Sequence, residues 1–155
     1  KTSANIDTYS SPYPSHESYS SYGHEGDIPK SIRKMLSPGE GIIYSTQQSR
    51  FKSGGNITNP TELYVTTNRI IWMDPKLMGL RKDYDQILYN NIVKIYPEQG
   101  ILSSDLIVVT AHSGTRVIHA IPKGDAKEIC GIVSQLILDF EYGYKNVRHN
   151  YHHFR

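Results

Sequence analysis

The sequence predicts a mainly β fold: seven strands in a barrel or sandwich, one C-terminal amphipathic helix capping it, and a short N-terminal helix ahead of it. Three observations carry this reading. Between Gly41 and Ile121 the turn signals Asn68, Asp74-Pro75, Asn90-Asn91 and Ser113-Gly114 punctuate short apolar runs, the pattern of a small all-β domain. From Ala126 the apolar period lengthens to three- and four-residue steps, the period of a helix lying on a core. Residues 1–27 show neither period.

That first segment is dominated by Ser, Tyr, Pro, His and acids. It has no apolar face to offset an ordering cost of about 1–2 kcal/mol per residue, so a disordered tail is expected over 1–27. The domain is expected over 28–142, with a flexible polar and aromatic tail over 143–155. Lys1 stands against Asp7, Glu17, Glu25 and Asp27, so the first tail carries −3 and the rest +5 of a formal net charge of +2.

Asp27 is placed to cap the first helix, with Pro29 in its first turn. Ile28, Ile32, Met35 and Leu36 form its apolar stripe, and Ser37-Pro38-Gly39 ends it. Strands are then expected over 41–48, 62–66, 69–73, 82–87, 92–97, 105–111 and 115–121. Asn68 supplies a residue tolerant of positive φ for a tight turn. Asp125 with Glu128 three residues on reads as a capping-box variant. Ala126, Ile129, Cys130, Val133, Leu136, Ile137 and Phe140 follow on one stripe, and Gly143 is the expected stop. Each large side chain on that stripe is worth about 1.5–3 kcal/mol when buried, so the stripe is expected to close the open end of the barrel. Ile132 and Leu138 lie off it and are expected to serve an assembly surface.

Composition narrows the function classes. The chain has 155 residues and one cysteine, Cys130, which excludes a disulfide within the chain and any zinc site built on two or more Cys. No stretch approaches the roughly 20 apolar residues that span a bilayer. No nucleophile elbow, phosphate loop or metalloprotease pattern occurs. Asp83 and Asp85 read as solvated strand residues, and His112 and His119 as ordinary strand positions. His149, His152 and His153 cluster in the C-terminal tail, without the supporting groups a lasting metal site needs. No catalytic residue, metal or cofactor is expected, and the modest charge disfavours nucleic acid.

Four segments carry a family resemblance. Leu36–Tyr44 (LSPGEGIIY) resembles the Leu-x-Pro-Gly-Glu opening of short bacterial and archaeal pleckstrin-homology-like (PH-like) domains. Leu63–Asp74 (LYVTTNRIIWMD) is similar to their strand–Thr-Asn-Arg–strand hairpin, echoed in GRAM domains. Ile87–Ile95 (ILYNNIVKI) resembles the segment that opens the following strand, and Ile121–Val133 (IPKGDAKEICGIV) the start of the closing helix. The resemblance spans about residues 28–141 and implies a seven-stranded, helix-capped binding or assembly module. It also implies that basic residues in the first inter-strand loop contact inositol phosphates in lipid-binding relatives. Here that loop holds Arg50, Phe51 and Lys52 in place of the fuller basic pattern, with Arg81 and Lys82 in the loop before the fourth strand.

The expected function is therefore a non-enzymatic module for protein interaction or self-assembly, its partner a protein or a second copy. The alternative is peripheral binding to anionic membrane lipid through Arg50, Phe51, Lys52, Arg81 and Lys82. A cytoplasmic or membrane-peripheral location is the matching expectation.

Overall fold

The structure is a computed structural model that describes residues 28–47, 62–74 and 83–151. Asp27 and residues 48–61 and 75–82 lie outside these. Helix α1 (Lys30–Met35) starts at Pro29, whose carbonyl accepts from the N–H groups of Ile32 and Arg33 at 3.0 and 3.1 Å. No side chain caps it.

Strands β1 (Ile42–Gln47), β2 (Glu62–Thr66), β3 (Arg69–Asp74) and β4 (Asp83–Leu88) form one antiparallel sheet in chain order. A 3-10 turn at Tyr89–Asn91 leads to β5 (Ile92–Gln99), β6 (Ser104–Thr110) and β7 (Thr115–Ile121), which form a second. Among the described residues the two sheets are not hydrogen-bonded to each other, so the architecture is the sandwich rather than the closed barrel. Helix α2 (Lys123–Tyr151) lies over β5, β6 and the 3-10 turn.

Strand alternation explains the continuous apolar runs of β2 and β3. Leu63, Val65, Ile70 and Trp72 face the main core between the sheets. Tyr64 and Ile71 pair across the two strands on the opposite face and are covered by Ile32 of α1. β2 and β3 are thus buried on both faces, and a strand buried on both faces has no polar side. This second cluster also takes in Ile28, Met35, Leu36, Ile42 and Tyr84.

Two turn and cap expectations are corrected. Asn68 does not adopt positive φ; Ala120 is the non-glycine residue that does, at 59°. The β2–β3 turn is held by Thr66, whose Oγ1 accepts from the backbone N–H groups of Asn68 and Arg69 at 3.1 and 3.0 Å. A threonine side chain so placed mimics a backbone acceptor and removes the need for left-handed geometry. Asp125 is not a cap, because α2 begins two residues earlier at Lys123. The Ser113-Gly114 turn does use left-handed backbone, with Gly114 at φ 72°.

Along α2, Ala126, Ile129, Val133 and Leu136 are buried in the main core, with Ile132 and Ile137 partly buried against it. Phe140, expected to join them, is 41% exposed. Its direction on the helix is right, but at about 1.5 Å per residue the axis has outrun the sheets by that point. Gly143 does not stop the helix, which continues to Tyr151, so most of the segment expected as a loose tail is helical. Gly143 meets no neighbour that would exclude a side chain, and nothing there demands a left-handed cap.

Leu136→Ala is expected to lower unfolding free energy by about 2–5 kcal/mol, the range for a buried leucine, whereas Phe140→Ala costs well under half of that. Urea denaturation of the two variants checks this ordering.

Candidate functional site

The polar residues of the family-like segments converge on one another. Pro38-Gly39, with Gly39 at φ 79°, turns the chain between α1 and β1 and delivers Glu40 into the protein. The Glu40 side chain is fully buried and meets Arg69 in a two-pronged ion pair. Arg69 Nε donates to Oε1 at 2.9 Å and Nη2 to Oε2 at 2.6 Å. Oε1 also accepts from the Thr66 hydroxyl at 2.6 Å, and Oε2 from the Ser37 N–H at 2.8 Å. The remaining Arg69 donors reach the Met35 carbonyl at 2.8 Å and Gln86 Oε1 at 2.6 Å. Tyr89 closes the arrangement, its hydroxyl 2.5 Å from the Thr66 carbonyl and 3.0 Å from that of Arg69.

The charged groups and hydroxyls of this cluster thus bond chiefly to one another. Burial raises the Glu40 carboxyl, and the Arg69, Ser37 and Thr66 donors outweigh it, so its pKa sits below the ordinary value. Burial, with the nearby Glu40 charge, pushes the Tyr89 hydroxyl far up, and it stays protonated. The cluster joins the end of α1, the approach to β1, the β2–β3 hairpin and the residue after β4. Its arrangement suits a structural latch.

A second polar junction fixes α2. Asp125 Oδ1 accepts from the Tyr44 hydroxyl at 2.9 Å and Oδ2 from the Thr46 hydroxyl of the same strand. Spacing alone placed Asp125 near a helix start; its partners on β1 lie about eighty residues away in the chain. A third junction lies on the second sheet, where Asp105 accepts from the Ala120 N–H at 2.8 Å and meets His119 Nδ1 at 2.9 Å. It holds the irregular pairing through which β7 turns toward α2.

Among the described residues, Leu88 and Val93 are exposed on either side of the 3-10 turn, and further exposed apolar groups fall in three places. At the β5–β6 turn, Ile101 and Leu102 are 93% and 66% exposed, on a loop closed by a 2.9 Å bond from the Gly100 N–H to the Ser103 carbonyl. On the outer face of the second sheet, the exposed Tyr96 and Val117 flank the buried Ile107 in one cross-strand row. Lys94 Nζ lies 4.8 Å from the Tyr96 ring centre beside that row. On α2, Leu138, Phe140 and Tyr142 are exposed.

Arg50, Phe51, Lys52, Arg81 and Lys82 lie outside the described residues. Ile132 and Leu138 are described but do not form one surface: six residues place them about 120° apart around a helix, and Ile132 packs on the core. Among the described residues no group of three His, Cys, Asp or Glu is placed to hold a metal ion, and no helix is long and apolar enough to cross a membrane. Burial pushes the Cys130 thiol up to about 11, which keeps it protonated at neutral pH.

A four-stranded and a three-stranded antiparallel sheet closed by a C-terminal helix define the PH-like class. The N-terminal PH domain of Vps36 has this fold, with a TM-score of 0.50 at 17% identity over 70% of this chain and 86% of that one. The bacterial PH domain family matches residues 36–135, and the chain belongs to it. An uncharacterized protein of Archaeoglobus fulgidus is 26% identical over 102 residues, 66% of this chain and 51% of that protein. The chain thus spans about half the length of this relative.

Arg69→Lys is expected to destabilise the domain by about 2 kcal/mol or more, because an ammonium cannot serve Glu40, Met35 and Gln86 together. The pH dependence follows from the lowered Glu40 pKa. The stabilisation from its charge is present above the ordinary value of 4.5 and is lost as pH falls through the lower folded value. Chemical denaturation below pH 4.5 should show a shallower acid loss for Glu40→Gln than for the native chain, though Glu40→Gln is less stable at neutral pH.

Proposed function

We propose that this chain is a non-enzymatic interaction module that binds protein through the exposed apolar part of α2. One observation carries the reading. The polar groups that the family-like segments gather are satisfied within the fold, whereas Leu138, Phe140 and Tyr142 present large apolar surface on a helix that runs on beyond the core. Leu138 and Tyr142 share one face of the helix and Phe140 lies on the other, and exposed apolar side chains on a helix beyond the core favour a protein partner. A photo-crosslinking residue at position 138 or 142 of the chain in its native cell should yield a discrete adduct, and the same residue at Asn90 should not. Equal labelling at both positions contradicts this reading.

A second reading, peripheral membrane binding, is supported by the β5–β6 turn. Two adjacent aliphatic side chains on a tight turn present a small apolar wedge of the kind that enters a lipid interface. The basic loops at 50–52 and 81–82 would add attraction of about 1 kcal/mol per residue near an anionic leaflet. Under this reading Ile101→Asp with Leu102→Asp abolishes co-sedimentation with phosphatidylserine vesicles at low salt. Vesicle binding by the native chain that survives the double substitution removes the turn from the mechanism, and no binding by the native chain removes the reading.

A further inference from the structure

The core-facing stripe of α2 does not end where the core ends. Val133, Ile137, Phe140, Tyr144, Val147 and Tyr151 follow one another at steps of four, three, four, three and four. This is the heptad alternation of a helix that packs lengthwise on another helix. Val133 is fully buried, Ile137 is partly buried, and Phe140 is exposed. Leu136 is the last buried residue of α2 among those with described side chains. From there to Tyr151 the helix axis runs about 22 Å, with its apolar positions still in register with the buried ones.

The charges on this stretch are segregated along the sequence. Asp139 and Glu141 precede Gly143, and Lys145 and Arg148 follow it. A second copy laid parallel would bring acid to acid and base to base. Laid antiparallel, it brings the acidic half of each helix to the basic half of the other, and the apolar seams meet. An anionic lipid surface would meet the acids as well as the bases and gains nothing from this order.

Resting on the protein-binding reading above, we propose that α2 beyond Leu136 pairs antiparallel with the same segment of a second copy of the chain. The stretch is self-complementary in charge and needs no further partner to cover its seam. Among its residues with described side chains, Ile137 alone packs against the core.

The test is sedimentation velocity of the full chain over a wide concentration range, with the melting temperature of each variant as a control. The native chain should form a reversible dimer. Phe140→Glu and, separately, Val147→Glu should give monomers with melting temperatures close to native. Glu141→Arg should weaken the dimer about tenfold, since a symmetric pair loses two attractions at once. Adding Arg148→Glu to it should restore most of the affinity, which a merely structural effect would not do. A native monomer at all concentrations overturns the proposal, as does a dimer indifferent to Phe140→Glu and Val147→Glu. A dimer strengthened by Glu141→Arg alone overturns it too, because it requires parallel helices. A monomeric native chain that still gives a discrete adduct of foreign mass from position 138 overturns self-pairing while leaving the protein-binding reading standing.

Discussion

The ion pair between Glu40 and Arg69 is the interaction on which the arrangement of the first sheet depends. Taking a carboxylate and a guanidinium out of water costs several kcal/mol for each. That cost is offset only where geometry is good and the remaining donors and acceptors are met. Here they are met from four directions: Ser37 and Met35 at the end of α1, Thr66 in the β2–β3 turn, and Gln86 on β4. Losing either charge leaves the other buried and unpaired, which is what makes such a pair sensitive. The pair therefore specifies one arrangement of α1, β1 and the hairpin.

This explains why the segments that define the family offer so little to a ligand. Glu40, Thr66, Arg69 and Tyr89 have the residue types of a binding site, but each is turned inward on the others. Asp125 with Tyr44 and Thr46, and Asp105 with Ala120 and His119, repeat the arrangement at the two ends of α2 and β7 where elements must be joined. Among the described residues the exposed large apolar groups include the Ile101–Leu102 turn, Val93, Tyr96 and Val117, and Leu138, Phe140 and Tyr142 of α2.

The sequence shows its elements well where pattern and packing agree. β2 and β7 fall on 62–66 and 115–121, as their apolar runs and turn residues indicate. It misleads where a local rule meets a distant partner. Asn68 sits in a turn, yet Thr66 supplies the acceptor that makes positive φ unnecessary. Asp125 resembles a cap, yet its oxygens are taken by β1. Gly143 resembles a stop, yet a helix lying past the edge of the core has no reason to end at one glycine. The helical period correctly gives the direction of Phe140 but not the distance to the sheet edge, which is a tertiary quantity. The Glu40–Arg69 pair spans 29 residues and has no spacing signature; its only trace is that both residues occur within the family-like segments.

A double-mutant cycle on unfolding free energy tests the latch most directly, using Glu40→Gln, Arg69→Met and the two together at neutral pH. If the pair holds the fold, each single substitution is strongly destabilising. The double variant is then less destabilised than the sum of the singles, with a coupling of about 2 kcal/mol or more. Small, additive losses would contradict the account, because they would mean that neither charge depends on the other for its place in the protein.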